Sequence, residues 1–164
     1  MGQIPWDRSL VHVTRFDTCV GFLLQYIDMK KIAGLFKLFS NETRLRTLML
    51  LSRQELCVCQ IMAVLGVSQP LVSRNLSLLE NAGLLTERRD GKMIYYSLSK
   101  DMAEPVKKIL AIIRSELKEN PIMLQDLGSL TDCQEFQRKS GRCDMKSFME
   151  FMEQQRARRA EVTV

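Results

Sequence analysis

Histidine is nearly missing from this chain: His12 is the only one in 164 residues. A lone imidazole argues against a histidine-rich metal site and against Ser-His-Asp catalysis. Long apolar runs are missing too. The nearest, Cys19 to Leu24, falls far short of the ~18 residues a membrane span needs. The N-terminus lacks the basic, apolar, small-residue order of a secretory leader, so a cytoplasmic chain with no membrane association is expected. No internal repeat and no low-complexity tract is present. The five cysteines are an odd number, so complete internal pairing is impossible; in a reducing compartment they act as free thiols, metal ligands or redox groups. What is there is ordinary for a folded protein: 46% hydrophobic and 26% charged residues, enough for a real core. A net charge of +5 permits a polyanionic partner without identifying one.

Composition separates an N-terminal extension (1–28), an organised region (29–119) and a more polar C-terminal extension opening near Pro121 (120–164) with two cysteines. Met29 opens a stretch that reads as complete by itself, which raises the expectation that translation starts there. Ser40-Asn41-Glu42 is a helix start, with cap-forming side chains and then an acid where the helix dipole favours it. Glu55 to Leu65 reads as a short helix closed by Gly66, and a second helix runs from Ser68 to about Asn81. Asp90-Gly91 between β-prone segments signals a hairpin turn. Val106, Ile109, Leu110, Ile113 and Leu117 make one long apolar helical face. In the tail, a short helix is expected from Asp132, then an amphipathic one with Met145, Phe148, Met149 and Met152 on one face and Arg156, Arg158 and Arg159 near its end.

Two short helices joined by Gly66-Val67-Ser68 have the spacing of a helix-turn-helix. In the second, Leu71, Val72, Leu76 and Leu79 are expected to face inward. Gln69, Ser73, Arg74 and Ser77 then share an opposed arc of roughly 140°. Small hydroxyls, an amide and a guanidinium fit close to base edges and phosphates in a major groove. Arg88, Arg89 and Lys92 around a protruding turn suit phosphate or an adjacent minor groove. The fold class expected is mainly α with a small β-hairpin, a winged helix-turn-helix.

Residues 31–100 resemble the winged-helix repressors of the arsenical-resistance and metal-sensor family (ArsR/SmtB type). The resemblance rests on the run Leu38 to Arg46, on Glu55-Leu56-Cys57-Val58-Cys59, on the run Ser68 to Leu76, and on Leu79 through Gly83 with the wing after it. It implies a homodimer that represses transcription from double-stranded operator DNA, with residues 32–39 and 106–117 at the dimer interface. By the same resemblance the DNA-reading positions are Ser68, Gln69, Ser73, Arg74 and Asn75, the last standing where many relatives have histidine.

Cys57 and Cys59 are the sharpest chemical feature. Placed at a helix start, they are expected to favour thiolate. Thiolates are soft ligands; two are too few for a tetrahedral zinc–sulfur site but begin a three-coordinate centre for trivalent arsenic or antimony. The resemblance agrees, since Glu-Leu-Cys-Val-Cys marks the family's trivalent arsenic sensors. Two later positions depart from that pattern: Gln60 replaces the usual aspartate, and Met62 a frequent third cysteine. Cys133 and Cys143 are the available replacements for a metal-binding sulfur, while Cys19 reads better as core. The expected inducer is therefore arsenite or antimonite, with no organic cofactor. A thiol-redox or persulfide switch on the same fold is the alternative. Enzymatic thiol-disulfide exchange is disfavoured by Cys-X-Cys spacing and the absence of a βαβ pattern.

Overall fold

The computed structural model describes residues 29–140, 146 and 148–153. The chain divides into two compact units, residues 1–34 and 35–164. The expectations for residues 1–28, Cys19, Cys143, Met145 and Arg156 to Arg159 fall outside the described residues.

Helix α1 runs over Met29–Phe39 and α2 over Glu42–Leu51. Asn41 caps α2 as its sequence suggests, its side-chain oxygen accepting from the Arg44 N–H at 3.0 Å. The Arg44 guanidinium turns back to the last α1 carbonyls, donating to Leu38 and Lys37 at 2.7 Å each, where a cation offsets the helix dipole. Strand β1 is Leu56–Cys57, α3 is Val58–Leu65 and α4 is Gln69–Asn81. The turn between α3 and α4 depends on Gly66, whose φ of 67° lies in the left-handed region that other residues avoid.

Strands β2 (Leu85–Asp90) and β3 (Met93–Leu98) form the wing, and α5 (Glu104–Glu116) follows. The sheet has three antiparallel strands in the order β1-β3-β2, one strand more than a hairpin. Asp90 pairs with Met93, so the two-residue loop is Gly91-Lys92, not Asp90-Gly91. Glycine at the first loop position, with φ 57°, matches hairpin turns that need a positive φ there.

The tail departs most from expectation. Instead of a short helix from Asp132, one helix, α6, runs from Pro121 to Ser140, with Asp132 in its interior. Proline at its first position costs no hydrogen bond there. Met123 and Leu130 enter the main core alongside Leu48, Leu50, Leu56, Ile61, Leu76 and Leu79. The tail helix thus belongs to the same compact unit as the winged helix. No helix among the described residues is long and apolar enough to cross a membrane.

Candidate inducer and nucleic-acid sites

Cys57 closes β1 and forms the N-cap of α3; Cys59 lies in the first helical turn. The expected helix start at Glu55 is overturned here, because Leu56 and Cys57 pair with Tyr96 and Tyr95 on β3. Burial on both sides favours extended backbone at these two residues over an exposed first helical turn. A reciprocal cap holds the junction: the Cys57 sulfur accepts from the Gln60 backbone N–H, and the Gln60 side chain accepts from the Cys57 N–H at 3.0 Å.

The thiols do not lie in the expected thiolate-favouring setting. Cys57, Cys59 and Cys133 are all buried. With Ala63, Phe148 and Phe151 they form a second apolar cluster, bordered by Met93, Tyr95, Phe136 and Met152. The hydrogen bond with the Cys59 sulfur, then burial, push the Cys57 thiol well above its ordinary range, outweighing the backbone N–H donors that pull it down. Cys57 is therefore a thiol at neutral pH, and the helix-terminus argument loses to desolvation. Among the described residues no three His, Cys, Asp or Glu side chains are grouped closely enough to hold a metal ion. Cys133 shares the pair's cluster without completing a three-sulfur set.

Cys133 arrives there through a heptad-like stripe on α6: Met123, Asp126, Leu130, Cys133 and Gln137, at spacings of three and four. Polar contacts fix both ends of its register. At one end Arg46 forks onto Asp126, Nε donating at 2.8 Å and Nη2 at 2.7 Å, with Asp126 only 2% exposed. Hydrogen bonding to Asp126 holds the Arg46 guanidinium even further above neutrality than usual. At the other end the Gln60 amide donates to Gln137 at 2.9 Å. An aspartate at position 60 could cap Cys57 but could not donate to Gln137, so the departure from the resembling motif makes sense beside this tail. Gln60→Ala should cost about 1–3 kcal/mol, by leaving the buried Cys57 N–H without its acceptor and removing the bond from α3 to Gln137; urea unfolding measures it.

The second covering segment, helical at 148–153, buries Phe148 and Phe151 on the thiols while Met149 is exposed. Of the expected apolar face, Phe148 is inward and Met152 borders the cluster, whereas Met149 faces out and Phe151 joins the inward side. Phe136 and Phe151 meet with ring centroids 5.6 Å apart.

On the helix-turn-helix, Ser68, Gln69, Ser73, Arg74 and Ser77 are exposed, as an outward reading face requires. Ser68 is the N-cap of α4 but makes no side-chain cap bond. Two expectations on α4 fail. Leu71 is 41% exposed and joins the outer face. Asn75 is 4% exposed, lying on the inner stripe with Val72, Leu76 and Leu79, so it is not presented to a groove. Its Nδ2 has no hydrogen-bond partner. On the wing, Arg89 and Lys92 are exposed, Arg89 lying 3.7 Å from Glu87. Arg88 is held by Glu55, Asp90 and the Tyr95 ring. Phe36 on α1 and Ile112 on α5 are exposed large hydrophobics, on the two helices that the resemblance assigns to an interface.

Comparison with known proteins gives these faces a context. Residues 41–87 match the family described as "Bacterial regulatory protein, arsR family". An arsenic resistance transcriptional regulator of Pseudomonas putida is 44% identical over 78 residues, covering 47% of this chain and 68% of that protein. The arsenical resistance operon repressor of Escherichia coli is 46% identical over 77 residues, covering 46% and 66%. Among solved structures, the homodimeric winged helix-turn-helix DNA-binding domain of a possible ArsR-family regulator from Mycobacterium bovis is 26% identical, with a TM-score of 0.47, covering 66% of this chain and 94% of that one.

Proposed function

Because the chain belongs to the ArsR family of bacterial regulatory proteins, we propose that it is a cytoplasmic homodimeric repressor, released from its operator when trivalent arsenic or antimony binds Cys57 and Cys59. The family is one of DNA-binding transcriptional regulators, not enzymes. The observation that carries the finer reading is the gathering of Cys57, Cys59 and Cys133 in one buried apolar cluster beside the helix-turn-helix.

That setting discriminates between ligands by charge. Arsenous acid is neutral. Each As–S bond that forms breaks one As–O bond, and the thiol proton leaves with the hydroxide as water. A protonated Cys57 is no obstacle to this exchange, and a three-sulfur product is also neutral. Zinc or cadmium held by four thiolates would leave two negative charges in an apolar pocket, at a desolvation cost of roughly several kcal/mol per ion. Cys133 supplies the third sulfur, with Cys143 as its competitor for that place.

Two copies, joined through the α1 and α5 faces bearing Phe36 and Ile112, set two α4 helices about one DNA turn apart. Ser68, Gln69, Ser73 and Arg74 read the major groove, while Arg89 and Lys92 bind backbone. Since the three sulfurs are not grouped as a ready ligand set, closing them on arsenic draws α6 and β1 toward each other. Release requires the closed state to be the poorer DNA binder, because a ligand with equal affinity for both states shifts nothing.

The test is release of a duplex that the wild-type protein has selected from a random-sequence pool. Arsenite and antimonite should dissociate the complex at concentrations at least about tenfold below those of cadmium, a difference of about 1.4 kcal/mol. Release by peroxide that a thiol reductant reverses, with none by arsenite, would replace this reading with the redox switch.

A further inference from the structure

We infer that Glu55 is a positioning residue that couples the thiol pocket to the wing by competing with DNA phosphate for Arg88. This rests on the function proposed above.

The geometry is a row across the sheet. Arg88 on β2 pairs directly with Tyr95 on β3, and Tyr95 with Cys57 on β1. Residues in one transverse row share a face, and Glu55, two residues before Cys57, belongs to that face as well. All three nitrogens of the Arg88 guanidinium donate there. Its Nε donates to the Glu55 carboxylate at 3.0 and 3.3 Å, and its Nη2 at 2.8 Å. Its Nη1 donates to Asp90 at 3.2 Å, and its carbon centre stands 4.9 Å from the Tyr95 ring centroid. The hydrogen bonds from Arg88 hold the Glu55 carboxyl below the usual carboxylate range.

A guanidinium fork gripping a carboxylate cannot give the same N–H groups to a phosphate. Arg88 therefore has two exclusive partners, and the internal one is attached to the sensor. Glu55 immediately precedes β1, and Tyr95 borders the thiol cluster. A ligand that fixes Cys57 fixes Glu55 and Tyr95, two of the three groups that hold Arg88, which keeps the wing cation off the DNA. With the thiols empty, β1 yields more readily and Arg88 transfers to phosphate. The pair is solvent-facing, so its effect is a modest one on affinity and a larger one on coupling.

Glu55→Gln should tighten binding of the selected duplex by about threefold, and steepen the slope of log affinity against log salt by up to about one. It should also raise the arsenite concentration for half-release. Arsenite binding without DNA, followed by loss of titratable thiols, should not change. Arg88→Lys keeps the cation but loses the fork, so it should uncouple release in the same way, and Glu55→Gln should add nothing to it. Because Arg88→Lys leaves the segment beside the thiols untouched, it decides the matter even where Glu55→Gln disturbs folding. Salt slopes and arsenite midpoints equal to wild type in both variants would overturn the competition, as would a Glu55→Gln effect of full size in the Arg88→Lys background. If wild type is not released by arsenite at all, the functional reading itself fails and this inference falls with it. If wild type is released and the variants show no coupling, only the competition fails.

Discussion

Cys57→Ser should keep duplex affinity within about threefold of wild type but displace half-release by arsenite by at least about a hundredfold, or about 2.7 kcal/mol. The asymmetry comes from where the sulfur lies. Cys57 is wholly buried between β1 and α3, away from the exposed face of α4, so its removal takes nothing from the DNA contacts. Serine can keep the local cap, because its hydroxyl accepts from the Gln60 N–H that the sulfur now meets. What it cannot do is form the soft, covalent bond to arsenic. Cys59→Ser should behave likewise. Cys133→Ser should be milder, raising the midpoint about tenfold, because two sulfurs still bind and Cys143 or water fills the third place. Fluorescence anisotropy of the labelled duplex, titrated with arsenite, separates the three. Release of Cys57→Ser at the wild-type midpoint would exclude the pair as the sensor.

What was legible in the sequence follows from local rules. Asn41 as a cap, Gly66 as a left-handed stop and glycine in the wing turn are decided within a few residues, and each stands where the pattern puts it. The Cys-Val-Cys pair was legible for the same reason. The failures are tertiary. Glu55 to Cys57 reads as a helix start until β3 is known to pair with Leu56 and Cys57. The protonation of Cys57 follows first from its hydrogen bond with the Cys59 sulfur and then from burial, and the burial is shared with Phe148 and Phe151, about ninety residues away, which no local signal connects to it. Resemblance assigns Asn75 to the DNA face, yet its spacing from Val72 and Leu79 already puts it on the inner stripe. A similar signal was available for the tail: Met123, Asp126, Leu130, Cys133 and Gln137 keep heptad-like spacing, but a carboxylate in such a stripe reads as a break until its partner, Arg46, is found.

That partner is the basis of the second large effect. Arg46→Leu should destabilise the folded protein by about 3 kcal/mol, because it strands the Asp126 carboxylate, 2% exposed, against apolar core. The opposite change is gentler. Asp126→Leu leaves an Arg46 that is part-exposed and has Glu42 3.5 Å away, so a loss of about 1 kcal/mol is expected. The double replacement should recover most of the single Arg46→Leu loss, since apolar residues of similar size can substitute for a buried ion pair nearly neutrally. Urea unfolding of the four proteins gives this cycle directly. A second readout locates the damage. Arg46 and Asp126 join α2 to α6, and α6 carries Cys133 onto the thiol cluster. Opening α6 alone relieves the stranded carboxylate without unfolding the winged helix, so Arg46→Leu should label Cys57, Cys59 and Cys133 with a thiol reagent at least about tenfold faster than wild type, with local opening made about 1.4 kcal/mol easier. Equal labelling rates with the full stability loss would mean that the pair stabilises the fold globally and does not latch the tail over the sulfurs.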